Sequence, residues 1–143
     1  GDFTIEAMYR FNSVVTSAFV AKDNAGASRS YYLAYLSGTL RFNYFVGAVQ
    51  QSYAPAWTPS TGVWYHIACC RSGNTLRHFI DGVEIGTGHN MTGVTIDTVS
   101  TESTVGAIGS GSFTCNGWLS NVRVTKGVAR YTANFTPPTL PLR

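Results

Sequence analysis

Seven carboxylates, three histidines and three cysteines are the side chains here with the means to do chemistry. The acids are Asp2, Glu6, Asp23, Asp81, Glu84, Asp97 and Glu102. Glycoside hydrolysis needs two such groups facing each other across a cleft, about 5 to 9 Å apart. Asp81 is accounted for by an Asp-Gly turn and Glu6 by the outer face of its strand, while Asp97 and Glu102 fall in a polar loop. Serines are plentiful, but no Gly-x-Ser-x-Gly elbow joins a strand to a helix, and Gly109-Ser110-Gly111-Ser112 has no helix after it. The glycine-rich stretch from Gly106 to Gly117 lacks the Gly-Lys-Ser/Thr of a phosphate loop. Catalysis is not expected.

The cysteines are odd in number, and Cys69 and Cys70 are adjacent on a strand, so their side chains leave opposite faces. Cys69 with His78 formally suggests a nucleophile and base, but a reactive thiolate needs a partly exposed, electropositive site. An inert core pair is the better reading. Zinc would require His66, His78 and His89 to converge, and the strand register sends the first two to opposite faces.

Sugar recognition has more physical content, because it needs aromatic faces and a few planar hydrogen-bonding groups in a shallow site. Tyr53 and Trp57 in a loop, beside outward Arg41 and Asn43 on a strand, are the candidate glycan site. Trp57 suits equally well a plug at one end of the fold. Trp64 and Trp118 read as core or edge packing.

Those residues must be placed by strands. Alternation of apolar and polar positions dominates: Phe3 to Phe11, Ser17 to Lys22, Tyr31 to Leu36, Thr39 to Val46, Thr104 to Gly109 and Trp118 to Thr125 all read as strands. Trp64 to Gly86 reads as a three-stranded meander with turns at Gly73-Asn74 and Asp81-Gly82. Minimal turns fix the register, pairing Cys69 with His78, Ile67 with Ile80 and Phe79 with Glu84. One face then carries Ile67, Cys69, Leu76, His78, Ile80, Val83 and Ile85 as core. The other carries His66, Ala68, Cys70, Arg77, Phe79 and Glu84, a mixed face able to meet solvent or a ligand. Short strands, frequent glycine turns and no helical periodicity predict an all-β antiparallel sandwich or barrel.

At 143 residues the chain suits one domain, here drawn as 1–135 followed by a proline-rich strap or linker, 136–143. Only 12% of the residues are charged, and the net charge of +3 comes from scattered residues, so a nucleic-acid footprint is not expected. No apolar run approaches the roughly 20 residues of a membrane helix, and no signal peptide is visible. The chain opens abruptly at an apparent strand, as a fragment or processed product would.

Phe3-Thr4-Ile5-Glu6-Ala7, Trp64 to Ala68, Gly73 to Arg77, Phe79 to Gly82 and Gly117 to Val124 resemble laminin-G-like domains of the concanavalin A-like jelly-roll superfamily. Lys126 to Pro138 is similar to a subset found in tailed-phage virion proteins and bacterial surface proteins. The resemblance implies an antiparallel jelly-roll β-sandwich. It implies a non-enzymatic, carbohydrate-binding adhesion module on a phage virion (tail fibre, decoration or host recognition), or alternatively on a bacterial surface or outside the cell. A purely structural capsid or tail cement protein is the competing expectation, and a glucanase-like enzyme a third. The superfamily's glucanase motif Glu-x-Asp-x-x-Glu is missing. Expected partners are surface glycans or other virion proteins, within a homo-oligomer or larger assembly. Some relatives hold calcium at the sandwich rim, which makes Asp23, Asn24 and Asp97 candidate ligands, since a hard cation takes oxygens; no other cofactor is implied. Two departures stand out. The strand that usually precedes Phe3 is not seen, and His78 occupies a position usually aliphatic.

Overall fold

The computed structural model describes residues 1–139, and its strands form two five-stranded antiparallel sheets. In chain order they are β1 (Phe3–Phe11), β2 (Ser17–Asp23), β3 (Arg29–Leu36), β4 (Thr39–Val46), β5 (Val49–Tyr53), β6 (Trp64–Ser72), β7 (Thr75–Ile80), β8 (Val83–Asn90), β9 (Thr104–Val105) and β10 (Gly117–Lys126). The first sheet runs β10-β1-β6-β7-β8 and the second β5-β4-β3-β2-β9. This is the jelly-roll sandwich that the sequence predicts.

The turn chemistry explains the hairpins. Ser37-Gly38, Gly47-Ala48 and Asp81-Gly82 all adopt positive φ at both central residues, the backbone twist that two-residue hairpins require. The register of the meander is the predicted one, with Cys69 opposite His78, Ile67 opposite Ile80 and Phe79 opposite Glu84. Val83 keeps its predicted pairing with Ile80, but at the turn, past the edge of the core, it is exposed rather than buried. β5 was expected as loop, and β9 is cut to two residues of the expected Thr104–Gly109 strand.

Between the sheets the odd-numbered residues of β1 meet the second sheet in an aromatic core. Phe3 lies 5.5 Å from Phe42, Tyr9 4.9 Å from Phe19, and Phe11 5.4 Å from Tyr35, centroid to centroid. Burial of such rings is the main stabilising contribution, about 1.5–3 kcal/mol for each large side chain.

Both outer faces are partly roofed. Over the second sheet, Ile108 and Phe113 pack on Ala18, Ala21, Tyr32 and Ala34. Over the first, the segment after β10 turns back. Gly127 N–H donates to the Asp2 carbonyl, Thr4 Oγ1 to the Val128 carbonyl, and Phe135 N–H to the Gly82 carbonyl. Tyr131 and Phe135 stack at 3.6 Å and cover Ala68, Cys70 and Phe79. The mixed face predicted to meet solvent or a ligand is therefore largely closed, because its apolar half needs a lid. Residues 136–139 of the expected strap are described; 140–143 lie outside the described residues.

Candidate functional site

The predicted glycan residues do not converge. β4 sends Arg41 and Asn43 to the outer face of the second sheet, while Phe42 and Tyr44 point into the core. Asn43 is fully buried, bonded through Nδ2 to the Tyr32 hydroxyl. Trp57 is 8% exposed and sits edge-on to Phe11, Tyr35 and Tyr65 at 5.8, 5.8 and 5.3 Å. It is the plug. Tyr53 lies on β5 rather than in a loop, stacked on His89 at 5.2 Å, and its hydroxyl accepts the Gly88 N–H. Gly86 is what lets it in: a Cβ there would fall 2.3 Å from that hydroxyl.

The calcium candidates are occupied by local structure. Asp23 Oδ1 accepts the Ala25 N–H, and both its oxygens accept from Arg29 Nε at 3.0 Å. Asn24 Oδ1 accepts from the Gly26 and Ser28 amides. Asp97 accepts the Gly47 and Ala48 amides on its two oxygens, holding the β4–β5 turn. No three His, Cys, Asp or Glu side chains gather into a metal-binding group among the described residues.

The buried titratable groups hold the fold. Burial pushes the Cys69 and Cys70 thiols up, and that of Cys115 to about 11, so none is poised as a thiolate. His78 is enclosed, with Nδ1–H donating to the Leu40 carbonyl at 3.1 Å and Nε2 unpartnered. Burial takes its pKa down to about 3. Glu6 forms a knot beneath the returning segment. It accepts from His66 Nε2 at 3.0 Å, Arg123 Nε at 2.8 Å and Tyr131 Oη at 2.8 Å. Burial raises its pKa, but the three donors and the Arg123 charge outweigh that, and the net shift is downward.

One row stays open. Arg10 on β1 pairs with Trp118 on β10 and with Trp64 on β6, so the three lie side by side across the first sheet. Their neighbours Tyr9, Phe11, Leu119 and Tyr65 all pack in the core. Strand alternation therefore turns Trp118, Arg10 and Trp64 to the outside. Trp118 is 59% exposed and Trp64 44%, which corrects the expectation that they pack in the core or at an edge. Two strand spacings put the indoles' backbones about 9.5 Å apart. Arg10 is tethered between them, Nε donating to the Gly62 carbonyl at 3.1 Å. Gly117 brings β10 close: a Cβ there would fall 2.2 Å from the Arg10 carbonyl oxygen. A signal for this row was present in the sequence, since Trp64 shares parity with outward His66 and Ala68.

With this geometry in hand, the family can be stated. Residues 1–130 match the model of the concanavalin A-like lectin/glucanases superfamily (Laminin G 3), and the chain belongs to that family. No curated protein sequence matches it. Among solved structures it is similar to a candidate carbohydrate-binding protein from Bacteroides ovatus, with TM-score 0.71, 18% identity and 91% of this chain covered. It is also similar to the heptameric SAP-like pentraxin of Limulus polyphemus, with TM-score 0.60, 16% identity and 86% of this chain covered. A third is the CBM40 of the Ruminococcus gnavus IT-sialidase bound to α2,3-sialyllactose, with TM-score 0.56, 13% identity and 81% covered. The match spans 38% of the Bacteroides protein, 63% of the pentraxin and 70% of the CBM40 chain. At these identities the likeness is one of fold.

Proposed function

We propose that the chain is a non-enzymatic carbohydrate-binding module and that the Trp118–Arg10–Trp64 row is its platform. The carrying observation is the pair of exposed indoles flanking a cation on a sheet face that the returning segment only partly roofs. A pyranose ring has an apolar face of C–H bonds and an equator of hydroxyls. The face packs on an indole, whose burial against an apolar partner is favourable, and the hydroxyls need donors and acceptors. A guanidinium has five N–H donors, and Arg10 spends one on Gly62, leaving others for sugar oxygens. Two rings of an extended glycan can rest on the two indoles with Arg10 between them. Carbohydrate-binding relatives of the same fold support the reading.

Hydrolysis is disfavoured by where the acids are. Glu6, Asp23, Asp81, Asp97 and Asp2 accept backbone or side-chain donors that hold the fold, and Glu84 pairs with Arg77. The seventh acid, Glu102, lies in the loop just before β9. The biological setting we favour is the surface of a phage virion, on the resemblance of residues 126–138, with a bacterial surface as the alternative.

Binding to a panel of soluble polysaccharides, measured by calorimetry, tests the function. Trp118→Ala and Trp64→Ala should each weaken binding at least about tenfold, or 1.4 kcal/mol. Both sites are exposed, so unfolding stability should move by no more than about 0.5 kcal/mol. EDTA should leave binding unchanged, because the candidate calcium oxygens are committed to turns. Absence of binding across the panel, or full affinity in the double variant, would overturn the proposal.

A further inference from the structure

The far end of the sandwich carries a second feature that the glycan reading does not use. Where β1 begins and β2, β6 and β10 end, the two sheets part around a cleft of about 490 Å³. That lies within the range of small-ligand pockets, about 300–1,000 Å³. Its throat is aromatic: Phe3 from one sheet faces Phe42 from the other at 5.5 Å, with Tyr31 5.8 Å from Phe42. Lys22 and the exposed Lys126 line its mouth, and the buried Arg71 lines it further in.

These cations are not neutralised by acids. The ion pairs among the described residues join Asp23 to Arg29, Glu6 to His66 and Arg123, and Glu84 to Arg77. Lys22 Nζ donates to the Thr101 carbonyl, and Arg71 donates to the carbonyls of Gly73 and Met91, which are uncharged. Lys126 and the Tyr31 hydroxyl make no side-chain hydrogen bond among the described residues. The two acids in the cleft point elsewhere, Asp2 to the Gly73 amide and Asp97 to those of Gly47 and Ala48. The result is an apolar throat under a positive rim with unspent donors.

A sugar fits this chemistry poorly, because the hydroxyls turned toward Phe3 and Phe42 would be buried without partners, at a cost of about 1–3 kcal/mol each. We infer that this cleft binds a small amphipathic anion, an apolar body seated against Phe3, Tyr31 and Phe42 with an acidic head held by Lys22, Arg71 and Lys126. The site is separate from the tryptophan row. Phe3 and Arg10 are the two ends of this span of β1, about 23 Å apart at the rise of an extended strand.

Anilinonaphthalene sulfonate, an aromatic body with one anionic head, is a direct probe. Its fluorescence should rise on binding to the folded protein, and octanoate should displace it. Octanol, which keeps the apolar body and lacks the charge, should compete at least tenfold less well, and octylamine not at all. Raising salt should weaken the probe, since rim charges are screened. Lys22→Glu with Lys126→Glu should cost tenfold or more in affinity while the near-ultraviolet circular dichroism is retained. The Trp64→Ala, Trp118→Ala double variant should bind the probe as the parent does. Equal competition by octanol, indifference to the charge reversals, loss of the probe in the tryptophan variant, or absence of displaceable binding would each sink the inference.

Discussion

The tryptophans divide into one that holds the sandwich shut and two that face outward, and single substitutions should separate the roles. Trp57→Ala removes a ring packed against Phe11, Tyr35 and Tyr65. It should cost about 3–5 kcal/mol of stability, measured by urea unfolding, as aromatic truncations in a core do. His78 makes a different demand. Its folded pKa is lowered to about 3 against 6.5 in the unfolded chain, so between those values the unfolded state binds more protons. Stability is therefore fully present above pH 6.5 and is lost as pH falls through that window, on the order of 1 kcal/mol per pH unit. His89, also lowered by burial, acts in the same direction. Glu6, with its pKa lowered below the ordinary 4.5, adds a further loss only as pH falls beneath that value. Urea midpoints at pH 7, 5.5 and 4 should thus show a shallower decline between the first two for His78→Gln than for the parent. In Glu6→Gln that upper decline should persist, while the loss of stability relative to the parent, present at pH 7 and 5.5, should narrow at the most acidic point. An identical decline in His78→Gln would show that His78 is not the group that titrates.

Among the elements, the returning segment after β10 makes the sharpest demand on sequence. Gly82 has φ +79° and a Cβ there would fall 1.9 Å from the Phe135 carbonyl oxygen. Gly82→Ala should therefore lose well over 1 kcal/mol, and should do so by lifting the segment, visible as faster amide exchange at Ala68 and Phe79. Tyr131→Phe should cost about 1–2 kcal/mol, because it removes a hydrogen bond to the Glu6 carboxylate. Such a segment is hard to see in advance. Its residues have no strand period, and what they cover is set by the chain's path, not by local preference. The hairpins were legible because Asp81-Gly82 and Ser37-Gly38 state their turn type in two letters. β5 was not, since Val49-Gln50-Gln51-Ser52-Tyr53 lies at an edge with four exposed residues and has no buried face to impose alternation. The same limit applies to the site. Parity placed Trp64 outward once the meander's register was known, yet size argued for burial. Near Trp118, the positive φ of Asn121 and the irregular pairing between Glu6 and Met8 interrupt the alternation that would have placed it.

At the scale of the whole molecule, the platform proposed for glycan is a narrow row, because loop 106–113 roofs part of one sheet and the returning segment part of the other. Two indoles and one guanidinium are a small contact, and a ligand of that size gains little after the cost of being held. A single copy should therefore bind weakly, and useful adhesion should come from many copies displayed together. Linking copies makes later binding events intramolecular and can raise avidity by about 10²–10⁴ without any new contact. Fusing the chain to a trimeric coiled coil should accordingly raise its apparent affinity for a surface coated with polymeric glycan by about a hundredfold or more. Its affinity for a short oligosaccharide in solution, which reaches only one row, should stay that of the monomer. Trp118→Ala in all three copies should abolish the gain, since avidity multiplies a contact and cannot replace it. If the trimer gains nothing on the polymer while the monomer binds oligosaccharide tightly, the row is a complete receptor by itself, and display in a larger assembly is not what the fold is built for.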